Sequence, residues 1–212
     1  MKKIIAPIDF SVTAENAAIF AGKIAAFYGA ELWLYHTYMI SIPVSSFGYP
    51  FITAAEMNYA AEHELGEYKV RILEAVKVNI TIHIKAENNT LSDGLMDLCN
   101  DIKPDLVVMG LSGKNALTRL VVGSNTIRAI QQLTYPILVI PPKAEFSPVR
   151  KILFACDYEK MHDSTPVEPL KKMVLDFNSE LVVLNVVFSN SGASPEKLEK
   201  GRYIVELLKD LK

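Results

Sequence analysis

An α/β fold, built on a doubly wound parallel five-stranded sheet, is predicted by three observations. Short β-branched runs alternate with longer segments of helical period; a glycine-spaced stretch follows the fourth run; and the opening of the chain recurs after residue 150. The alternation argues for a parallel sheet covered by helices on both faces. Right-handed crossovers then make a Rossmann-like three-layer sandwich the economical solution.

The strand candidates are "KIIAPI" from Lys3, "ELWLYHTY" from Glu31, "NITIHIKA" from Asn79, "LVVMG" from Leu106 and "PILVI" from Pro136. Helical pattern fills most of the intervals. Ser11 can cap a helix running to about Tyr28, and Thr53 with Glu56 forms a capping-box pair that opens another to about Val78. Ser92 is the expected start of a short third helix and Ser124 of a fourth.

After Ile140 comes "PPKAEFSPVR", where three prolines in ten residues break both periodicities, so 143–149 reads as a linker between a complete domain at 1–142 and a partial one at 150–212. The partial domain repeats the first. "KIIAPIDF" at 3–10 aligns with "KILFACDY" at 151–158, and "AELWLYHTY" at 30–38 with "SELVVLNVV" at 179–187, an offset of about 148 that implies tandem duplication. Within the sequence in hand the second copy then supplies "SPEKLEKGRYIVELLKDLK", a Ser-capped helix with Pro195 in its first turn, and no glycine loop of its own.

Composition bounds the partners. Half of the 212 residues are apolar and 22% charged, as in ordinary soluble domains, and a net charge of −2 gives no field to gather nucleic acid or an anionic membrane. The start "MKKIIAPIDF" is broken by Pro and Asp, too early for a signal segment, and no run approaches the ~18 apolar residues of a membrane span. Two cysteines, Cys99 and Cys156, stand in apolar runs without metal spacing. A cytoplasmic protein is expected.

The informative stretch is "VVMGLSGKNALTRLVVGSN" at 107–125. Gly110, Gly113 and, after nine residues, Gly123-Ser124 place a flexible turn at the carboxyl end of the fourth strand and a Gly-Ser pair at the next helix start. Ligands of open α/β sheets bind in that crevice. Glycines let main-chain N–H groups approach an anion, and the helix N-terminus favours negative charge, so a phosphate chain is the natural occupant. The spacing is neither a Walker A loop nor GxGxxG.

With Asp9 closing the first strand, these residues resemble the ATP-binding branch of the universal stress protein family, which carries Gly-x-x-Gly-x9-Gly-Ser/Thr after strand four. The strand-Asp-Ser-helix opening, "GAELWLYH", the loop and "YPILVIPP" carry the resemblance over residues 1 to about 142 and partly over 150–212. It implies an ATP site, with Mg²⁺ a candidate companion and no metal ligand from protein side chains. Pro7, Ile8, Asp9 and Thr37 would frame the adenosine; Met109 and Gly110 would pack at the ribose; Gly113, Gly123, Ser124 and Asn125 would receive the phosphates. Thr37 departs from the Val common in the family, and Asn125 follows the Gly-Ser pair. The family also implies a homodimer through the fifth strand, Ile137 to Ile140, facing its symmetry mate.

Other residues carry less chemistry. Lys114 and Arg119 are solvated loop cations or phosphate neutralisers, and His36 reads as a satisfied strand-end histidine. His63, His83 and His162 form no metal spacing, and His162, Asp163 and Ser164 form no triad. The aromatic segment at 38–53, with Phe47, Tyr49 and Phe51, is a local lid or a partner-binding loop. Three function classes stay open: a nucleotide-dependent stress-response module, a slow ATPase or other adenine-nucleotide enzyme, and an assembly module with an empty pocket.

Overall fold

The computed structural model describes residues 1–40, 53–111, 123–155 and 167–184, with positions 199, 202 and 206. Gly113, Lys114, Arg119, Cys156, His162, Asp163, Ser164 and the aromatic stretch 41–52 lie outside the described residues. The chain forms two compact units, Met1–Phe146 and Ser147–Lys212. None of the described helices is long and apolar enough to cross a membrane.

The first unit alternates strand and helix: β1 (Lys3–Pro7), α1 (Val12–Tyr28), β2 (Glu31–Tyr38), α2 (Ala54–Val76), β3 (Ile82–Asn88), α3 (Leu91–Ile102), β4 (Leu106–Gly110), α4 (Ser124–Gln132) and β5 (Ile137–Ile140). All strand pairs are parallel, in the order β3-β2-β1-β4-β5. The doubly wound five-stranded sheet expected from the alternation is present. Its strand order reverses between β1 and β4, whose register matches Ile4 with Leu106 and Ile5 with Val107.

Period-two alternation splits β1 between two cores. Ile4 and Ala6 pack with α1 and α2, whereas Ile5 packs with Leu95, Leu98 and Cys99 of α3 and Ala129 of α4. Ile4, Ile5, Leu32, Leu34 and Val107 are each fully buried, a burial that stabilises by about 1.5–3 kcal/mol per side chain. Burial also pushes the Cys99 thiol up to about 11, which keeps it protonated and unreactive. Helix α1 turns alanines to its partner, and Gly22 admits α2 closely: a Cβ there would lie 2.8 Å from Ile72 Cγ2 and 2.9 Å from Val76 Cγ2.

The caps follow the sequence with one correction. Ser11 accepts from Ala14 N at 3.2 Å, and Thr53 and Glu56 complete a reciprocal capping box. Those hydrogen bonds hold the exposed Glu56 carboxyl below its ordinary range. Helix α3, however, is capped by Thr90 rather than Ser92. Thr90 Oγ1 accepts from Asp93 N at 3.2 Å and donates to Asp93 Oδ2 at 2.8 Å, so Ser92 lies inside the first turn. Likewise β3 begins at Ile82, three residues after the predicted Asn79.

The first unit continues past the expected boundary at 142. Asn16 Nδ2 donates to Pro141 O at 3.3 Å and Ala144 O at 3.4 Å, and Phe146 meets Phe20 edge-on with ring centroids 5.4 Å apart. The first residues of the linker therefore belong to this unit's surface.

In the second unit β6 (Lys151–Ala155) pairs in parallel with β7 (Glu180–Leu184), joined through α5 (Val167–Phe177). Leu170 of α5 packs against Ile152, Phe154, Leu181 and Val183. Lys151 faces Glu180 as Lys3 faces Glu31, and Glu180 N donates to Arg150 O at 2.9 Å as Glu31 N does to Lys2 O at 2.8 Å. Glu199, Arg202 and Glu206 are helical and exposed.

Candidate functional site

The carboxyl ends of β1 and β4 part at the point where strand order reverses, which opens a crevice in sheets of this kind. The chain leaving β1 is tied on both sides: Ile8 N donates to Tyr35 O at 2.7 Å, and His36 Nδ1 lies 2.7 Å from Ile8 O. A carbonyl only accepts, so Nδ1 carries a proton in this contact. His36 is satisfied structurally, as expected, and it also lines the crevice.

Phe10 then takes a left-handed backbone, φ 59, which costs a non-glycine residue roughly 1–3 kcal/mol. Its ring is held by His36 at 4.4 Å and Tyr68 at 5.4 Å between centroids. The kink turns the chain from β1 into α1 immediately after Asp9. Asp9 Oδ1 accepts from Ser11 N at 3.1 Å and from Ser11 Oγ at 2.5 Å. With that proton committed, Thr13 Oγ1 is the donor in its 3.0 Å contact with Ser11 Oγ. Asp9 therefore organises the hydroxyls at the start of α1, and its second oxygen remains an acceptor.

Opposite, Gly110 ends β4 against the first turn of α1. A Cβ at Gly110 would lie 2.6 Å from Thr13 O and 2.9 Å from Thr13 C, both main-chain atoms, so only glycine fits. Gly110 O accepts from Thr126 Oγ1 at 3.3 Å, and Thr126 is buried. Gly123 stands at the N-cap of α4 in extended backbone, φ −61 and ψ 148, with no side-chain cap bond. Its conformation does not demand glycine. Having no side chain, Gly123 gives the first N–H groups of α4 no cap bond of its own, and N–H groups at a helix start favour an anion.

Pro7, Ile8, Asp9, Thr37, Met109, Gly110 and Asn125 line one cavity of about 120 Å³. Ser124 opens α4 beside Asn125, and Gly123 and Ser124 stand at the entrance to that helix rather than in the cavity wall. Sequence reasoning did not assign Ser11, Thr13, Leu91 and Thr126 to the wall. Ser11 was visible as a cap, and Thr126 follows Asn125 on the same first turn; Thr13 and Leu91 had no local signal. Among the described residues no group of three His, Cys, Asp or Glu side chains could hold a metal ion.

Residues 1–141 match the model of the universal stress protein family. The chain belongs to that family. Universal stress protein MJ0531 of Methanocaldococcus jannaschii is 31% identical over 148 residues, 68% of this chain and 85% of that one. Among solved structures, the universal stress protein from Archaeoglobus fulgidus aligns with a TM-score of 0.51 at 16% identity, over 66% of this chain and 98% of that chain. A universal stress protein family member from Burkholderia pseudomallei aligns with a TM-score of 0.50 at 21% identity, over 66% and 96%. At such identities these two likenesses concern the fold alone.

Proposed function

We propose that this universal stress protein is a cytoplasmic, nucleotide-dependent regulatory module that binds ATP once per chain, in the first unit. The observation that carries the reading is the convergence of Asp9, Thr37, Gly110 and Asn125 on one cavity at the strand-order reversal. Asp9 and Thr37 border one part of the wall, where adenosine hydroxyls and ring nitrogens find polar partners. The start of α4, with Gly123, Ser124 and Asn125, receives phosphate, and the family resemblance assigns Gly113 to the same phosphates. Mg²⁺ would enter with the phosphates, on oxygen ligands they and water supply. Binding that favours one state of the protein shifts its stability and its choice of partner by mass action.

Titration of the purified, nucleotide-stripped protein with ATP tests this. One site per chain is expected, and Asp9→Ala is expected to weaken ATP about tenfold while leaving the melting temperature close to wild type, a cost of ~1.4 kcal/mol for one charge-assisted contact. An unbroken affinity in Asp9→Ala would reduce Asp9 to a partner of Ser11. No ATP binding by the wild type would reject the reading. Phosphate release with Mg²⁺ separates a binding module from an ATPase.

The second unit is proposed as a partial duplicate of the first, supported by the matching β6–β7 and β1–β2 registers. Assembly is proposed through β5. It is an edge strand in which Ile137, Leu138 and Val139 are half-buried and Ile140 is buried, and α4, which precedes it, exposes Ile127 and Ile130. Unpaired edge N–H and C=O groups associate unless covered, and a two-fold pairing of Ile137–Ile140 with itself closes without open growth. Light scattering should give twice the chain mass of 23.6 kDa. Val139→Pro should lower that mass by removing a ladder donor, and a monomer at every loading concentration would sink the proposal.

A further inference from the structure

We propose that the first unit carries a second subsite beside the nucleotide cavity, which takes the second nucleoside of a ligand whose two nucleosides are joined through phosphates. The inference rests on the nucleotide reading above. Past Thr37, Leu91 and Asn125, which wall both spaces, opens a larger cavity of about 460 Å³. That volume falls within the ~300–1,000 Å³ of small-ligand sites. Its remaining wall includes Met39, Asn89, Ser92 and Asp93 from the strand ends and α3, and Arg128 and Gln132 from α4.

The chemistry of this wall selects among occupants. Asp93 has one oxygen engaged with Thr90 Oγ1 at 2.8 Å, which leaves the other as an acceptor for a hydroxyl. Its carboxylate opposes a bare phosphate in the same space. Asn89 and Gln132 bring amides that both donate and accept, matching ribose hydroxyls and the edge of a base. Arg128 joins no ion pair among the described residues, and a guanidinium plane free of a carboxylate stacks on aromatic rings. A sugar and base thus find a partner for each polar group of this wall. The junction is also in the right place. Asn125, assigned to the phosphates, borders both cavities, so a phosphate chain leaving the first cavity passes into the second.

The test compares ATP with diadenosine tetraphosphate, which is ATP carrying adenosine monophosphate on its γ-phosphate, by calorimetry on the full chain. The double nucleotide is expected to bind at least about tenfold tighter than ATP. Arg128→Ala and Gln132→Ala should each erode that advantage while leaving ATP affinity within about twofold; both residues are exposed, so the fold should survive, as a melting curve checks. Equal or weaker binding of the double nucleotide would overturn the subsite and leave the ATP reading intact. Equal weakening of both ligands by Arg128→Ala would overturn it too, by assigning Arg128 to the shared phosphates. Failure of both ligands to bind wild type would remove the ATP reading and the subsite together.

Discussion

Gly94→Ala is expected to destabilise the protein by about 3 kcal/mol, lowering the melting temperature of the first unit by roughly 10 °C. Gly94 lies in the first turn of α3, over the fully buried Tyr35 of β2. A Cβ there would collide with the Tyr35 hydroxyl, come within 2.7 Å of Glu87 Oε1 and 3.3 Å of Asn89 Cβ. Three elements meet at that point, and the hydroxyl donates a short hydrogen bond to Glu87 Oε1. Burial first, and then the bond to Glu87, hold the phenol well above its ordinary range, so it stays a neutral donor. The glycine cannot be filled without lifting α3 or breaking that part-buried bond. Either route costs more than the small helix-propensity gain of ~1 kcal/mol that alanine offers over glycine.

The matched control is Gly66→Ala in α2, where a Cβ would meet nothing within 4 Å. There only the propensity gain operates, and the melting temperature should rise slightly. Thermal unfolding followed by circular dichroism compares the two. Equal melting temperatures in both variants would show that α3 shifts freely over Tyr35, contrary to the packing described.

These two glycines also show what the sequence conceals. Gly66 and Gly94 look alike on paper, each a glycine inside a helical pattern, because the hydroxyl that excludes a side chain at Gly94 comes from a residue far away along the chain. Strand identity was legible: the short β-branched runs at Lys3–Pro7 and Glu31–Tyr38 each appear where their alternation with helical segments places them. Helix starts were legible where a single cap candidate existed, at Ser11 and Thr53. In "NTLSDG" two candidates compete, and the Thr90-x-x-Asp93 spacing wins because it satisfies hydrogen bonds in both directions. Asp9, Thr37 and Met109 were expected at the site from the family resemblance, and they line one cavity because parallel strands point their carboxyl ends at the crevice. Thr13 was not expected there, because its place depends on how closely α1 approaches β4. Gly110 was singled out for backbone freedom beside phosphate, but the constraint that holds it is the main chain of Thr13.

That constraint yields the last expected result: Gly110→Ala should weaken the proposed ATP binding roughly 100-fold, about 2.7 kcal/mol, with a smaller loss of stability. The atoms that a Cβ would strike at 2.6 and 2.9 Å belong to the carbonyl of Thr13, and Ala14 N lies at 3.3 Å. A flexible side chain could rotate away; a helical main chain must translate. Moving the first turn of α1 displaces Ser11 and Thr13 together with Asp9, whose Oδ1 is bonded to Ser11 through both N and Oγ. It also pulls Gly110 O from Thr126 Oγ1, a contact that joins β4 to the start of α4. Both walls of the cavity would therefore move from one added methyl group, and sub-ångström misplacement of several polar groups at once removes most of their binding energy. Calorimetry with ATP reads the first effect and thermal melting the second. Should ATP bind Gly110→Ala within about twofold of wild type, the cavity at the β1–β4 divide is not where the phosphate-bearing ligand sits. Should the wild type bind no nucleotide at all, the melting-temperature loss still stands as a measure of the contact between β4 and α1.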